Sequence, residues 1–132
     1  MITAQASRLV TAPAYAVLPA EDLDRARRFY TEVLGFETQE FPEMRQFVIQ
    51  SGKGTQIMVY ERARTTAQHT AATFIVDSLR EVMEDLVSRG VVFEEYDMPG
   101  LKTTAGVAEM DEGSAAWFTD TEGNIINIAE TR

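Results

Sequence analysis

The chain has 132 residues, of which 45% are apolar and 25% charged, with a formal net charge of −9 and no cysteine. That length supports one hydrophobic core rather than two independent ones. The missing cysteine excludes disulfides, thiolate nucleophiles and zinc–thiolate sites, and the acidic balance disfavours nucleic acid as a partner while favouring a cationic one.

No apolar run approaches the roughly 18–20 residues that a membrane span needs, so no membrane partner is expected. The opening Met1-Ile-Thr-Ala-Gln-Ala shows no basic stretch followed by a long apolar segment. No secretion signal is expected there, and a cytoplasmic protein is the default expectation.

Residues 1–12 read as an N-terminal arm or an extra edge strand. Tyr15-Ala-Val-Leu18 then forms an apolar strand. A helix follows over about 23–34, with Leu23, Ala26, Tyr30, Val33 and Leu34 on one face. Asp22 suits its N-cap and Gly35 the left-handed residue that ends it. Strands are expected near 36–41, 45–51 and 55–61, with turns at Pro42-Glu43 and Gly52-Lys53-Gly54. Residues 62–70 form a Thr-rich linker.

The pattern then repeats. Ala72-Thr-Phe-Ile-Val76 is a strand, and Leu79, Val82, Met83, Leu86 and Val87 mark a helix closed by Gly90. Ser78-Leu-Arg-Glu81 reads as a capping box. Strands are expected at 91–97, 105–111 and 114–119. A tight turn, Asp120-Thr-Glu-Gly123-Asn124, leads to a last strand at 125–129. The interval is 56 residues between Leu23 and Leu79 and 55 between Gly35 and Gly90. Such a fixed period indicates a duplicated supersecondary unit. Strand, helix, then several strands, made twice, is an α+β pattern with helices on one side of each sheet.

The helix Asp22-Leu23-Asp-Arg-Ala-Arg-Arg-Phe29-Tyr30-Thr-Glu-Val-Leu34-Gly35-Phe36 resembles the signature helix of the vicinal oxygen chelate superfamily, the glyoxalase, bleomycin-resistance and extradiol-dioxygenase proteins. The ending Ala116-Trp117-Phe118-Thr-Asp120-Thr-Glu-Gly123-Asn124-Ile-Ile126 resembles that superfamily's closing hairpin, with Thr121 where proline is usual. The resemblance covers about residues 13–130. It implies an α+β fold of two tandem βαβββ modules, whose curved mixed sheets enclose a pocket with the helices outside. One domain is expected over 13–132, with module one at about 13–61 and module two at about 71–130. A homodimer is also implied.

Enzymes of this superfamily bind a divalent metal with four inward side chains, mostly His and Glu. The resemblance places those positions at Tyr15, Met58, Ala71 and Asn127. None is His, Glu or Asp, the donors that such cations prefer. No metal and no cofactor are therefore expected. His69, two residues before Ala71, would face the same way on a continuous strand. A lone His makes a poor site, and it reads as a linker or pocket-rim residue.

Strand periodicity then gives the lining of the expected pocket. Tyr15 and Ala71 bring Val17, Thr73 and Ile75; Met58 brings Gln56 and Tyr60; Asn127 brings Ile125 and Ala129; Trp117 and Thr119 join from the neighbouring strand. Ala16, Leu18, Phe74, Val76, Ile126 and Ile128 should pack under the helices. The candidate ligand-binding residues are Tyr15, Gln56, Met58, Tyr60, His69, Ala71, Thr73, Trp117 and Asn127. There is no catalytic set. Glu94-Glu95 and Asp111-Glu112 read as solvated strand ends, and the Lys102-Thr103-Thr104 loop as a cover over the pocket mouth.

Three functions fit these features. The first is a metal-free protein of bleomycin-resistance type that binds a cationic or aromatic small molecule and can sequester a drug. The second is a glyoxalase- or dioxygenase-like enzyme with a non-standard site. The third is a non-catalytic regulatory or scaffold domain.

Overall fold

The computed structural model describes residues 5–132 and contains two four-stranded mixed sheets. Met1–Ala4, part of the expected N-terminal arm, lie outside the described residues. Arg8–Thr11 form one exposed 3-10 turn capped by the Ser7 side chain, not an edge strand.

The first sheet comprises β1 (Ala16–Ala20), β2 (Glu37–Phe41), β3 (Gln46–Gln50) and β4 (Gln56–Glu61), in the order β1-β4-β3-β2. The second comprises β5 (Thr70–Ile75), β8 (Ala108–Met110), β9 (Gly113–Thr119) and β10 (Ile125–Thr131), in the order β5-β10-β9-β8. In each sheet the first strand pairs in parallel with the last, and the remaining pairs are antiparallel. The duplicated sequence therefore builds a duplicated topology, the α+β fold that the repeat implies. Among the described residues no helix is long and apolar enough to cross a membrane.

The first crossover helix is shorter than its sequence periodicity indicates. Helix α1 spans Leu23–Arg28, and Phe29–Val33 continue it as a π turn in which Leu34 N–H donates to Phe29 O at 3.0 Å. Periodicity cannot separate an α turn from a π turn over so few residues. Its caps are as expected: Asp22 Oδ1 accepts from Arg25 N–H at 3.0 Å, and Gly35 takes φ +80°. Helix α2 (Leu79–Ser88) is capped by Ser78 Oγ, which accepts from Glu81 N–H at 3.3 Å. Only this serine half of the capping box forms among the described residues. The next donor along, the N–H of Leu79, is taken by Glu130 Oε1 at 2.8 Å. Val87, expected on the packed face of α2, is 58% exposed.

The second module departs from the first after α2. The expected strand 91–97 reduces to an isolated bridge between Phe93 and Phe118. The chain then leaves the sheet to form a small ribbon, β6 (Asp97–Met98) paired with β7 (Leu101–Lys102). It returns only at β8, so the expected strand 105–111 shrinks to Ala108–Met110. Gly100 and Gly106, both at positive φ, turn the chain within this excursion.

A single core joins both modules. Leu18, Ile49 and Val59 of the first sheet, Phe118, Ile126 and Ile128 of the second, and Ala26 and Tyr30 of the first crossover all belong to it. Ala16, Phe74 and Val76 pack against it, as expected for the helix-covered faces. Phe36 stacks on Phe74 with centroids 5.6 Å apart, tying the two modules together. Buried aromatic area of this kind is the main favourable term in such a core.

A buried polar network adds a second tie between the modules. Glu122, in the turn before β10, has a fully buried side chain (0% exposed) that accepts from Asp22 N–H, from Arg25 Nε and Nη2 and from Thr121 Oγ1, at 2.8–3.0 Å. Burial pushes its carboxyl up, but these donors outweigh that effect and bring it down to about 2. A carboxylate lowered on folding stabilises the protein above its unfolded value and loses that contribution as pH falls towards its folded value. Glu122→Gln should therefore flatten the fall in stability between about pH 4.5 and 2. Urea melts across that range test this, and an unchanged slope would contradict it.

Candidate functional site

The face of each sheet turned away from the core carries the candidate residues. In the first sheet, cross-strand register aligns Val17, Met58, Val48 and Gln39 in one row and Pro19, Tyr60, Gln46 and Phe41 in the next. In the second, it aligns Thr73, Asn127 and Trp117 in one row and Ile75, Ala129, Ala115 and Ala108 in the next.

The same registers test where the superfamily's ligand positions fall. Met58 pairs with Val17 as Asn127 pairs with Thr73. Met58 and Asn127 thus occupy equivalent places in the two modules, one row from Tyr15 and Ala71. The strand shift between Ile125 and Ile126 puts Ala71 in a bulge, and it packs partly against the core.

These four side chains do not fit a divalent cation. Ala71 has no donor atom, Met58 offers a soft thioether, and Tyr15 a phenol. The Asn127 amide already donates to Ala116 O at 3.1 Å. Among the described residues no three His, Asp or Glu side chains converge as a metal ligand set.

The exposed part of this face lies along β1 and β5, whereas Asn127, Ala115 and Ala108 of the second sheet are buried. Tyr15, just before β1, is 52% exposed; Val17 on β1 is 46% and Ile75 on β5 67% exposed. Met58 and Tyr60 are half-buried, and Arg62 lies over the Tyr60 ring at 4.2 Å. Gln56 is exposed and its amide donates to Gln50 Oε1 at 3.1 Å. Thr73 is exposed beside Asn127.

Where β1 approaches β5, a pocket of about 270 Å³ opens. His69, Ala71, Val17 and Thr65 line it, together with Asn124, whose Nδ2 donates to Pro19 O at 2.9 Å. His69 and Ala71 therefore share one pocket, whereas Gln56, Met58 and Tyr60 lie on the first sheet's face and Thr73, Trp117 and Asn127 on the second's.

Three residues around Trp117 escape the candidate set: Glu94, Tyr96 and Thr70. The bridge between Phe93 and Phe118, with Glu94 N–H donating to Trp117 O at 2.8 Å, aligns Glu94 with Trp117. Glu94 is not a solvated strand end: it is half-buried, and its Oε1 accepts from Thr119 Oγ1 at 3.1 Å. Two residues further on, Tyr96 meets Trp117 edge to face, with centroids 5.6 Å apart. Burial pushes the Tyr96 hydroxyl above its ordinary value, and the Glu94 charge adds to that. Thr70 Oγ1 accepts from the Trp117 indole N–H at 3.1 Å. Alternation puts Glu94 and Tyr96 on one side of residues 91–97, but only the pairing with Phe118 sets that side beside Trp117.

The Thr103 loop is anchored beside this face. Thr103 Oγ1 accepts from Tyr96 N–H at 2.8 Å, and Thr103 N–H donates to Tyr96 O at 2.9 Å. The loop thereby holds Tyr96 against Trp117.

The fold is one found in solved structures of glyoxalase, bleomycin-resistance and dioxygenase superfamily proteins. Residues 15–52 match the family model for the bleomycin resistance protein-like N-terminal region. Among solved structures, the chain is similar to TnmS3, an antibiotic binding protein from Streptomyces sp. CB03234 (TM-score 0.66, 22% identity, covering 92% of this chain and 99% of that one). It is likewise similar to lactoylglutathione lyase from Agrobacterium tumefaciens (TM-score 0.66, 19% identity, 91% and 93%). A third such structure is a mutant of the fosfomycin resistance protein FosX from Listeria monocytogenes, complexed with Mn(II) and a dihydroxypropylphosphonic acid (TM-score 0.65, 16% identity, 90% and 89%). No curated protein sequence matches the chain.

Proposed function

We propose that this protein is a metal-free small-molecule-binding protein of the bleomycin-resistance type. It holds its ligand against the outward sheet faces, within a cleft that a second copy of the chain completes. The observation that carries this reading is the composition of those faces. They expose Tyr15, Val17 and Ile75 and leave Trp117 and Tyr60 half-exposed, yet among the described residues they offer a cation no ligand set. An apolar surface with a few convergent polar groups is what small-molecule sites are made of. An uncovered face of this kind also favours association, since apolar area left in water opposes solubility. The antibiotic-binding relative in fold supports the class of function, and the lyase and resistance-enzyme relatives mark the alternative.

The experiment is a thermal-shift screen of flat aromatic and amphipathic compounds, run with EDTA present and with the oligomeric state read by sedimentation. Binding raises the apparent melting temperature by mass action. The expected result is a dimer whose melting temperature rises with at least one such compound despite the chelator. Stabilisation that needs a divalent metal, or a catalytic activity that EDTA abolishes, would contradict the reading.

A further inference from the structure

We infer that the second sheet's face carries a subsite for a flat cationic group, built from Trp117, Tyr96 and Glu94. This inference rests on the binding reading above and names the chemistry of the ligand for that same face. Three independent features of the structure converge on it.

The first is geometric. Trp117 and Tyr96 stand edge to face with their ring planes at 84°, so the two rings make an angled corner rather than a closed stack. Thr70 Oγ1 occupies the indole N–H, which fixes the orientation of this half-buried ring. Tyr96 is fixed in turn by the paired Thr103 hydrogen bonds. A preorganised aromatic corner of this kind accepts a planar group with little loss of side-chain freedom.

The second is electrostatic. Glu94 is aligned with Trp117 across the strands, on the same face. Its carboxylate accepts from the neutral Thr119 hydroxyl, and no Lys or Arg forms an ion pair with it among the described residues. A half-buried carboxylate without a cation, aligned across the strands with a tryptophan, is a charge awaiting a partner.

The third is the field of the whole molecule. A net charge of −9 attracts cations towards any cleft and repels anions. The carboxylate and the aromatic faces favour the same sign of charge, because the centre of an aromatic face is negative.

The test uses calorimetric titration of the intact protein with three flat tricyclic probes: proflavine, which is cationic; acridone, which is neutral; and anthraquinone-2-sulfonate, which is anionic. Proflavine should bind about tenfold more tightly than acridone, on the scale of a cation–π contact reinforced by a carboxylate, and the sulfonate should bind weakest. Glu94→Gln should remove that tenfold preference while leaving acridone affinity within about twofold. Trp117→Phe should weaken all three, with folding checked by circular dichroism. If the probes bind equally, or if Glu94→Gln leaves the preference intact, the subsite is overturned while the binding reading stands. If none of the three binds, both fall.

Discussion

Gly113→Ala is expected to destabilise the protein by at least about 4 kcal/mol, among the largest effects that a single methyl can have. Gly113 opens β9 at φ +153°, opposite Thr131 of β10. A Cβ there would lie 2.0 Å from Glu130 O and 3.0 Å from Glu130 C and Thr131 Cα. All three atoms are backbone, so no side chain can swing away to relieve the clash. The strands must separate or the hairpin must slip, and a slip by one residue would invert every side chain between the two faces. Trp117 and Asn127 lie on that same hairpin. Chemical denaturation measures the loss, and a cost below about 1 kcal/mol would mean that the β9–β10 pairing is not as described.

Asp120→Ala is expected to cost about 4 kcal/mol, or roughly 14 °C in melting temperature for a chain of this size. Asp120 is buried at the start of the closing turn. One carboxyl oxygen accepts from Tyr30 Oη at 2.6 Å and Asn124 Nδ2 at 2.9 Å; the other accepts from the N–H groups of Glu122 and Asn124, each at 2.9 Å. Alanine leaves four donors without that acceptor where water cannot easily reach, and each stranded buried donor is costly. Tyr30→Phe removes one donor and leaves the rest of the network intact, so it should cost only about 1–2 kcal/mol. Burial, then the Asp120 charge and hydrogen bond, push the Tyr30 hydroxyl well above its ordinary value, so this contact persists across the physiological range. Equal costs for the two variants would contradict this account, because the three donors that Tyr30→Phe leaves on Asp120 would then contribute nothing of their own.

These two residues illustrate why some of the molecule is legible in its sequence. The Asp120–Asn124 turn sits between strands whose apolar alternation announces it, whereas the close approach of the Glu130 backbone to Gly113 shows only in the structure. The repeat of strand, helix and glycine announces the duplicated topology, because each unit buries the same apolar face. The residues that pack under the helices follow from that alternation alone, and Leu18, Ile126 and Ile128 are buried as it requires.

The remainder depends on contacts between segments distant in the chain. Glu122 looks like a turn residue, but it is buried because Arg25 and Asp22, almost 100 positions earlier, come to meet it. Residues 91–97 have strand composition, yet only Phe93 bridges the sheet before the chain departs into the ribbon of β6 and β7. The candidate face was partly legible. Period two puts Met58, Tyr60, Thr73 and Trp117 on the outward surfaces, but the partners of Trp117 required knowing that Glu94 runs antiparallel beside it. His69 and Ala71 line one small pocket where β1 approaches β5, as period two expects of residues two apart, whereas the bulge that skips Ala71 in the pairing is encoded by no periodicity.

The chain's single tryptophan, Trp117, stands on the candidate face, so its emission reports directly on what reaches that surface. Titration of this emission with proflavine, before and after addition of EDTA, is the most direct measurement of the account. Saturable quenching with the same midpoint in both conditions is the predicted result. An emission that never changes, or a response that disappears when divalent metal is removed, would contradict it.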